Sequence, residues 1–267
     1  MPKYLTNMLK NIFPCLNHGT EAGPLVRASP KKYAAQLTIM DFNVLKNITL
    51  EEMSNPPFNK ENTPNVDAFK DQHNFVTNWA VSEILTFQQA KNRAKLISFF
   101  IKLAVELRKI NNVNSLVAVL VALRTAAIHR LEKTWDLVPK ALKKKFEKMC
   151  HLIESDFNMT DLRRLQDEMK TPCLPYIAEY QSDVIRVEEM LKKFPRGEEE
   201  KAELYHKQML NIFRPIEKCQ KSNYDHLKKN ALIEAYFHVI GEKLDIFKMT
   251  AQEQNNFTFK LSKDVEP

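Results

Sequence analysis

From residue 65 to residue 138 the chain contains neither proline nor glycine. These residues most often punctuate regular structure, so a stretch this long without either reads as helices joined by short turns. Only four glycines occur in 267 residues, at 19, 23, 197 and 241. Nothing between Gly23 and Gly197 can build a glycine-rich loop around a phosphate, which excludes P-loop and dinucleotide-binding folds there. Within the stretch a first helix is predicted with Asn65 as its cap and Asp67 in its first turn, continuing through FVTNWAVSEIL. The next, AKLISFFIKLAVELRKI, is apolar on most sides and belongs in the middle of a bundle. Asn111, Asn112 and Asn114 break the period and start a third, SLVAVLVALRTAA, apolar enough to be equally central. Two buried helices imply several covering ones, so the predicted fold class is all-α.

With 44% apolar and 27% charged residues, the chain has the composition of a globular protein with a large core. Lys plus Arg number 40 against 33 for Asp plus Glu, a net +7, and the surface leans basic. The longest apolar run, residues 116–123, is far short of the roughly 20 residues of a membrane span, and no transmembrane helix is expected. The N-terminal MPKYLTNMLKNIF lacks the apolar block of a secretory signal. Cys15, Cys150, Cys173 and Cys219 have no CxxC spacing and no histidine at ligand intervals, so neither a metal site nor a disulfide framework is expected, and the cytoplasm is the natural compartment. His129, His151 and His238 read as packed or surface helix residues. Lys140, Lys143, Lys144, Lys145 and Lys148 form a basic cluster, read as a solvated helix face, with transient contact to an anionic membrane or acidic partner as the alternative. Phe146 is the one aromatic residue within it, short of the interleaving that single-strand binding wants, so nucleic acid is not an expected partner.

Residues 1–30, with four prolines and two glycines, are read as an arm with little order, residues 31–245 as one helical domain, and residues 246–267 as a polar tail, frayed or laid over the surface. The most informative pattern lies between Pro175 and Pro215. Ile177, Tyr180, Val184, Val187 and Leu191 are spaced 3, 4, 3, 4, and Ala202, Tyr205, Met209, Ile212 and Ile216 repeat that spacing after a break at Pro195 and Gly197. Two matching stripes across a short turn predict a protruding antiparallel helical hairpin over residues 175–216. Ser182, Ile185, Arg186 and Glu189 fall on the face opposite the first stripe, which is either a solvated outer face with one stray isoleucine or a functional one.

Five segments stand out: AAQLTIMDFNVLKNI (34–48), NFVTNWAVSEIL (74–85), INNVNSLVAVLVALRTAAIHRLEKTWDLVP (110–139), TPCLPYIAEYQSDVIRVEE (171–189) and IEKCQKSNYDHL (216–227). Together they resemble the catalytic domain of Ras-type guanine-nucleotide exchange factors. The resemblance implies a domain that grips a Ras-group small GTPase, GDP-bound or nucleotide-free, and releases its GDP by pressing a helical hairpin into the phosphate and Mg²⁺ site. It implies no covalent chemistry and no cofactor of the chain's own. By the resemblance, Ile185 matches the apolar residue pushed toward the Mg²⁺ site and Glu189 the acid entering the α-phosphate region. Ser182 stands where the family has a threonine that bonds the GTPase switch, and Arg186 where it has a lysine. Tyr176, Val117, Phe157 and Phe69 match an apolar pocket for an aromatic of the other switch, and Arg124 stands where a polar residue near that pocket is usual. Val117 and Phe157 also read as ordinary core residues.

The chain departs from the family pattern at Met190, Leu191 and Ala178, which replace a glycine, an asparagine and a glycine. Thirty residues ahead of the domain are too few for the helical N-terminal module that commonly props the hairpin, so the two-stripe packing or another support must hold it upright. Two other readings stand beside exchange: a non-catalytic binding module on the same fold, and a helical scaffold unrelated to GTPases. Abundant Lys and Asn beside scarce glycine suggest an AT-rich microbial or protozoan genome; a bacterial source would make the protein an effector in a host cytosol, acting near the membrane if the lysine cluster touches lipid.

Overall fold

The computed structural model describes residues 29–56, 58, 61–154, 159–193, 197–245 and 250–267. The expected N-terminal arm and Phe157 lie outside them. Among the described residues there are helices and no strand: α1 Pro30–Leu45, α2 Leu50–Met53, α3 Pro64–Leu85, α4 Ala90–Lys109, α5 Val113–Arg124, α6 Ala126–His129, α7 Glu132–Asp136, α8 Lys140–Glu154, α9 Thr160–Glu168, α10 Ala178–Lys192, α11 Glu198–Gln220, α12 Ala231–Asp245 and α13 Ala251–Val265. None of these helices is long and apolar enough to cross a membrane.

The helix predicted from Asn65 begins at Pro64, with Thr63 as its N-cap residue. Proline is tolerated in the first turn because its missing N–H would have no partner there. Asn65 instead donates through its backbone N–H and side-chain amide to the Glu52 carboxylate, at 3.0 and 3.1 Å, tying α3 to α2.

The apolar side chains gather in two clusters that share α1, α3 and α5. The larger holds α4, whose Leu96, Ile97, Phe100, Ile101, Leu103, Ala104 and Leu107 are fully buried, as an all-round apolar helix requires. Around it Trp79 meets Phe100 and Phe237 edge to face, with ring centroids 5.0 Å apart in both pairs. The indole N–H of Trp79 donates to the Tyr236 hydroxyl at 2.9 Å, which donates to the buried Glu83 carboxylate at 2.6 Å.

The smaller cluster takes the N-terminal ends of α3 and α5 (Val66, Phe69, Val113, Val117), Leu162 and Leu165 of α9, the segment Cys173, Leu174 and Ile177, and Ile216 and Cys219 of α11. It is the platform on which α10 and α11 stand.

The polar C-terminal segment lies over the surface as a docked helix rather than fraying. Thr250 caps α13 in a reciprocal capping box with Glu253. Leu261 and Val265 are buried in the larger cluster. Beyond them the Glu266 carboxylate meets the buried Arg93 guanidinium at 2.7 Å and accepts from the Thr134 hydroxyl at 2.6 Å. Arg130 donates to the carbonyls of Ser262 and Glu266. A largely polar sequence docks here because a short apolar row, Phe257, Leu261 and Val265, packs on the core and hydrogen-bonded charges anchor its end.

Candidate functional site

The site is built outward from the asparagine turn. Asn111 adopts a left-handed φ of 56°, a conformation asparagine tolerates better than most residues, and its side-chain amide donates to the carbonyls of Lys170 and Pro172. Asn112 caps α5 by accepting the Ser115 N–H at 3.0 Å, while its own amide donates to the Asp41 carboxylate at 2.8 Å and to the Thr38 hydroxyl at 3.1 Å. The Ser115 hydroxyl donates to the same Asp41 oxygen at 2.6 Å. Asp41 is wholly enclosed, and burial pushes its carboxyl up to about 6 against the pull of these donors. The backbone then closes the join: Val113 N–H donates to the Leu174 carbonyl and Leu174 N–H to the Asn111 carbonyl, both at 2.9 Å. What the sequence showed as a break in helical period is the clamp that fixes residues 171–176, the foot of α10.

From that foot the chain enters α10. The Tyr176 N–H donates to the side-chain carbonyl of Gln166 at 2.6 Å, and the Gln166 amide donates to Glu179. Burial raises the Glu179 carboxyl to about 7, despite the Arg163 charge and the Gln166 bond. Tyr180, Val184 and Leu191 are buried and Val187 partly so, as the first stripe requires. On α11 Met209 and Ile216 are buried and Tyr205 and Ile212 partly so, whereas Ala202, near the loop end, is exposed. The helix runs past the expected end at residue 216, through Pro215, to Gln220. The two helices pack on each other across residues 193–197, a connection short enough to leave the antiparallel arrangement.

Ser182, Ile185, Arg186 and Glu189 all lie on the exposed face of α10, with Ile185 43% exposed and its neighbour Met190 44%. The Ser182 hydroxyl donates to the Ala178 carbonyl at 2.9 Å. Arg186 meets Asp183 at 3.1 Å, and Asp183 is gripped bidentately by Arg163 of α9, at 2.7 and 3.1 Å. Arg186 is thus held in place by a second arginine through a shared carboxylate. On the other helix, the Tyr205 hydroxyl donates to the Ser54 carbonyl at 2.7 Å, and the Gln220 amide to the carbonyls of Leu45 and Ile48 at 2.9 and 2.6 Å. Tyr205 and Gln220 are about 22 Å apart along α11, so that helix is braced at two heights by the segment that runs from α1 into α2.

The apolar pocket residues are arranged differently from the expectation. Val117 and Phe69 are buried in the smaller cluster, and Tyr176 packs on that cluster half-exposed, its ring 5.2 Å from that of His73. Val117 and Phe69 are therefore enclosed in that cluster, and of the three only Tyr176 is accessible. Arg124 is not brought to this place. It lies at the far end of α5, roughly 10 Å beyond Val117 along the axis, and lines a separate groove of about 970 Å³ with His129, Trp135, Phe146 and His151. Among the described residues no group of His, Cys, Asp or Glu is placed to hold a metal ion.

Sequence reasoning missed Arg163, Asp183, Gln166 and Glu179, which orient α10, and Tyr205 as a strut rather than a stripe member. The asparagine triplet was the one visible signal of the clamp.

The RasGEF domain matches residues 32–214, which span α1 to most of α11 and stop short of Ile216 and Gln220. The chain belongs to the RasGEF domain family. The Ras-specific guanine nucleotide-releasing factor RalGPS1 of Danio rerio is 35% identical over 250 residues, covering 91% of this chain and 42% of that protein. The factor RalGPS2 of Homo sapiens is 33% identical over 249 residues, with 91% and 42% covered. Ras guanine nucleotide exchange factor M of Dictyostelium discoideum is 27% identical over 246 residues, with 88% and 26% covered. The chain thus spans about two fifths of the length of its RalGPS relatives. The thirteen helices among the described residues, with no strand beside them, place this RasGEF chain in the all-α class expected from its sequence.

Proposed function

We propose that this RasGEF chain is a guanine-nucleotide exchange factor that binds a Ras-group small GTPase and drives out its GDP with the outer face of α10. The single observation that carries the reading is the exposure of Ile185 and Glu189 on a helix whose opposite face is fully engaged. A GTPase holds its nucleotide through switch segments ordered by phosphate and Mg²⁺, so a side chain that occupies that region weakens nucleotide binding. Glu189 supplies a carboxylate that competes with phosphate for the same donors, and Ile185 supplies an apolar tip that disfavours a hydrated cation. Ser182 and the positioned Arg186 offer polar contacts beside them, and Tyr176 offers an aromatic edge to the second switch. By linkage, bound nucleotide weakens the exchange factor by the factor at which the exchange factor weakens nucleotide.

The test loads Ras-group GTPases with fluorescent GDP and follows release after adding this chain and excess GTP. Accelerated release from at least one member is expected, and unchanged release from all of them defeats the proposal. Ile185→Ala and Glu189→Ala are each expected to slow release roughly tenfold or more while the melting temperature stays near that of the wild type, since exposed substitutions cost within about 0.5 kcal/mol. A GTPase that binds tightly without faster release would instead select the binding-module reading, for which the replacement of the family's glycine and asparagine by Met190 and Leu191 is the favouring observation.

A further inference from the structure

Three described cysteines are free and buried, and two of them share a site. Cys150 sits in the larger cluster, whereas Cys173, just ahead of α10, and Cys219, in the last turn of α11, lie in the smaller one with their sulfurs 3.0 Å apart. They lie at the same end of the helical pair, one ahead of its first helix and the other in the last turn of its second. The backbone there is already fixed: Cys173 N–H donates to the Ser222 hydroxyl at 3.0 Å, and that hydroxyl faces the Cys173 carbonyl at 3.3 Å. Closing the gap to a disulfide length of about 2.05 Å asks for side-chain rotation more than chain movement.

We propose that Cys173 and Cys219 are a dithiol oxidation site at which hydrogen peroxide forms a disulfide across the two feet of the α10–α11 hairpin. The roles of the two sulfurs follow from their surroundings. The hydrogen bond from the Cys219 thiol, aided by the nearby Lys218 ammonium, outweighs burial and lowers the Cys173 thiol to about 7, while the same pairing and burial raise Cys219. Cys173 is therefore the attacking thiolate. Its sulfur bonds to one peroxide oxygen, the O–O bond breaks, and the departing hydroxide takes the proton that the thiol released, leaving a sulfenic acid and one water. The Cys219 sulfur then attacks the Cys173 sulfur, the S–O bond breaks, and the hydroxyl leaves as a second water with the Cys219 proton. Two thiols lose two electrons in all, and one peroxide gains them. Both sulfurs are nearly enclosed, so a reagent the size of water reaches them more readily than a bulky alkylating agent does.

The bond would close a loop over residues 173–219, which contains the whole of α10 and all of α11 but its last residue. The test treats the wild-type chain with hydrogen peroxide and reads intact mass, linked peptides and melting temperature. The expected result is loss of two hydrogens, a peptide joining Cys173 to Cys219, a melting temperature higher by several degrees, and reversal of all three by dithiothreitol. Cys219→Ser should gain oxygen at Cys173 without any linked peptide. Oxygen addition at Cys173 in the wild type without that linkage, or an unreacted pair under peroxide, overturns the proposal. No GTPase enters these readouts, so they stand apart from the outcome of the exchange assay.

Discussion

Replacing Arg163 by alanine should detach α10 from α9 and slow exchange without touching any residue on the exposed face. The pair it breaks is bidentate, with side chains 28% and 26% exposed, and the guanidinium also reaches the Glu179 carbonyl at 3.4 Å. Fully exposed ion pairs contribute about 0.2–1 kcal/mol, and removing one partner of a fully buried pair costs about 3–5 kcal/mol. A quarter-exposed bidentate pair falls between these, at about 1.5 kcal/mol of coupling. The single Arg163→Ala change should cost about 2 kcal/mol, because it also removes the bond to the Glu179 carbonyl. Asp183→Ala should cost a similar amount, since it leaves Arg163 and Arg186 facing each other without the carboxylate they share. Urea denaturation of the wild type, both single variants and the double variant measures the coupling. Exchange by Arg163→Ala, corrected for its folded fraction, should fall roughly tenfold, because a displacement of about 1 Å at a reacting surface is enough to do so. A coupling below about 0.3 kcal/mol, or an unchanged exchange rate, would refute the idea that this pair sets the pose of α10.

Burial raises the fully enclosed Glu83 carboxyl to about 7, offset in part by the Tyr236 hydroxyl. Because the folded state favours its protonated form, this group's stabilisation is complete below about pH 4.5 and is lost as pH rises through 7, a swing of roughly 3 kcal/mol. Glu83→Gln keeps the acceptor and removes the titration, so its stability difference from the wild type should change between pH 5 and pH 8 in urea denaturation; a constant difference counts against the assignment. Asn112→Ala removes a helix cap and two donors to buried oxygens, and should cost about 3 kcal/mol or more, read as a fall in the urea midpoint. Tyr205→Phe loses the bond to Ser54 and should lower stability by about 1 kcal/mol, with an unmoved midpoint ruling out the strut.

Patterns of period and composition were legible because they repeat. The all-round apolar α4, the break at the asparagines and the two stripes of α10 and α11 each rest on several residues in register, and each corresponds to an observed helix or packed face. Single polar anchors were not legible. Arg163 and Asp183 are 20 residues apart and Arg93 and Glu266 are 173 apart, so no local window joins either pair. The polarity of the C-terminal segment accordingly left frayed and docked forms open, because it reports what the segment shows to water and not the carboxylate that pins it. Residue type alone also could not separate an accessible pocket wall from core: Val117 and Phe69 are apolar in either role, and their burial depends on how α3 and α5 converge.

The support of the hairpin is distributed in a way that matters for its proposed use. A helix pressed into another protein experiences a reaction force on its outer face, and that force must pass into the core or the helix will tilt. On α10 it passes through the Arg163–Asp183 pair to α9 and through the Leu174–Val113 backbone bonds to α5. On α11 it passes through Tyr205 to Ser54 and through Gln220 to Leu45 and Ile48, which belong to the segment between α1 and α2. These ties draw on different elements, so loss of any one should weaken the pose by a fraction rather than abolish it. The feet are the exception, because the asparagine clamp and the Cys173–Ser222 bonds fix the same short segment, and damage there releases α10 and α11 together. Substitutions at the foot should therefore cost more stability, and more exchange, than a change at any single brace.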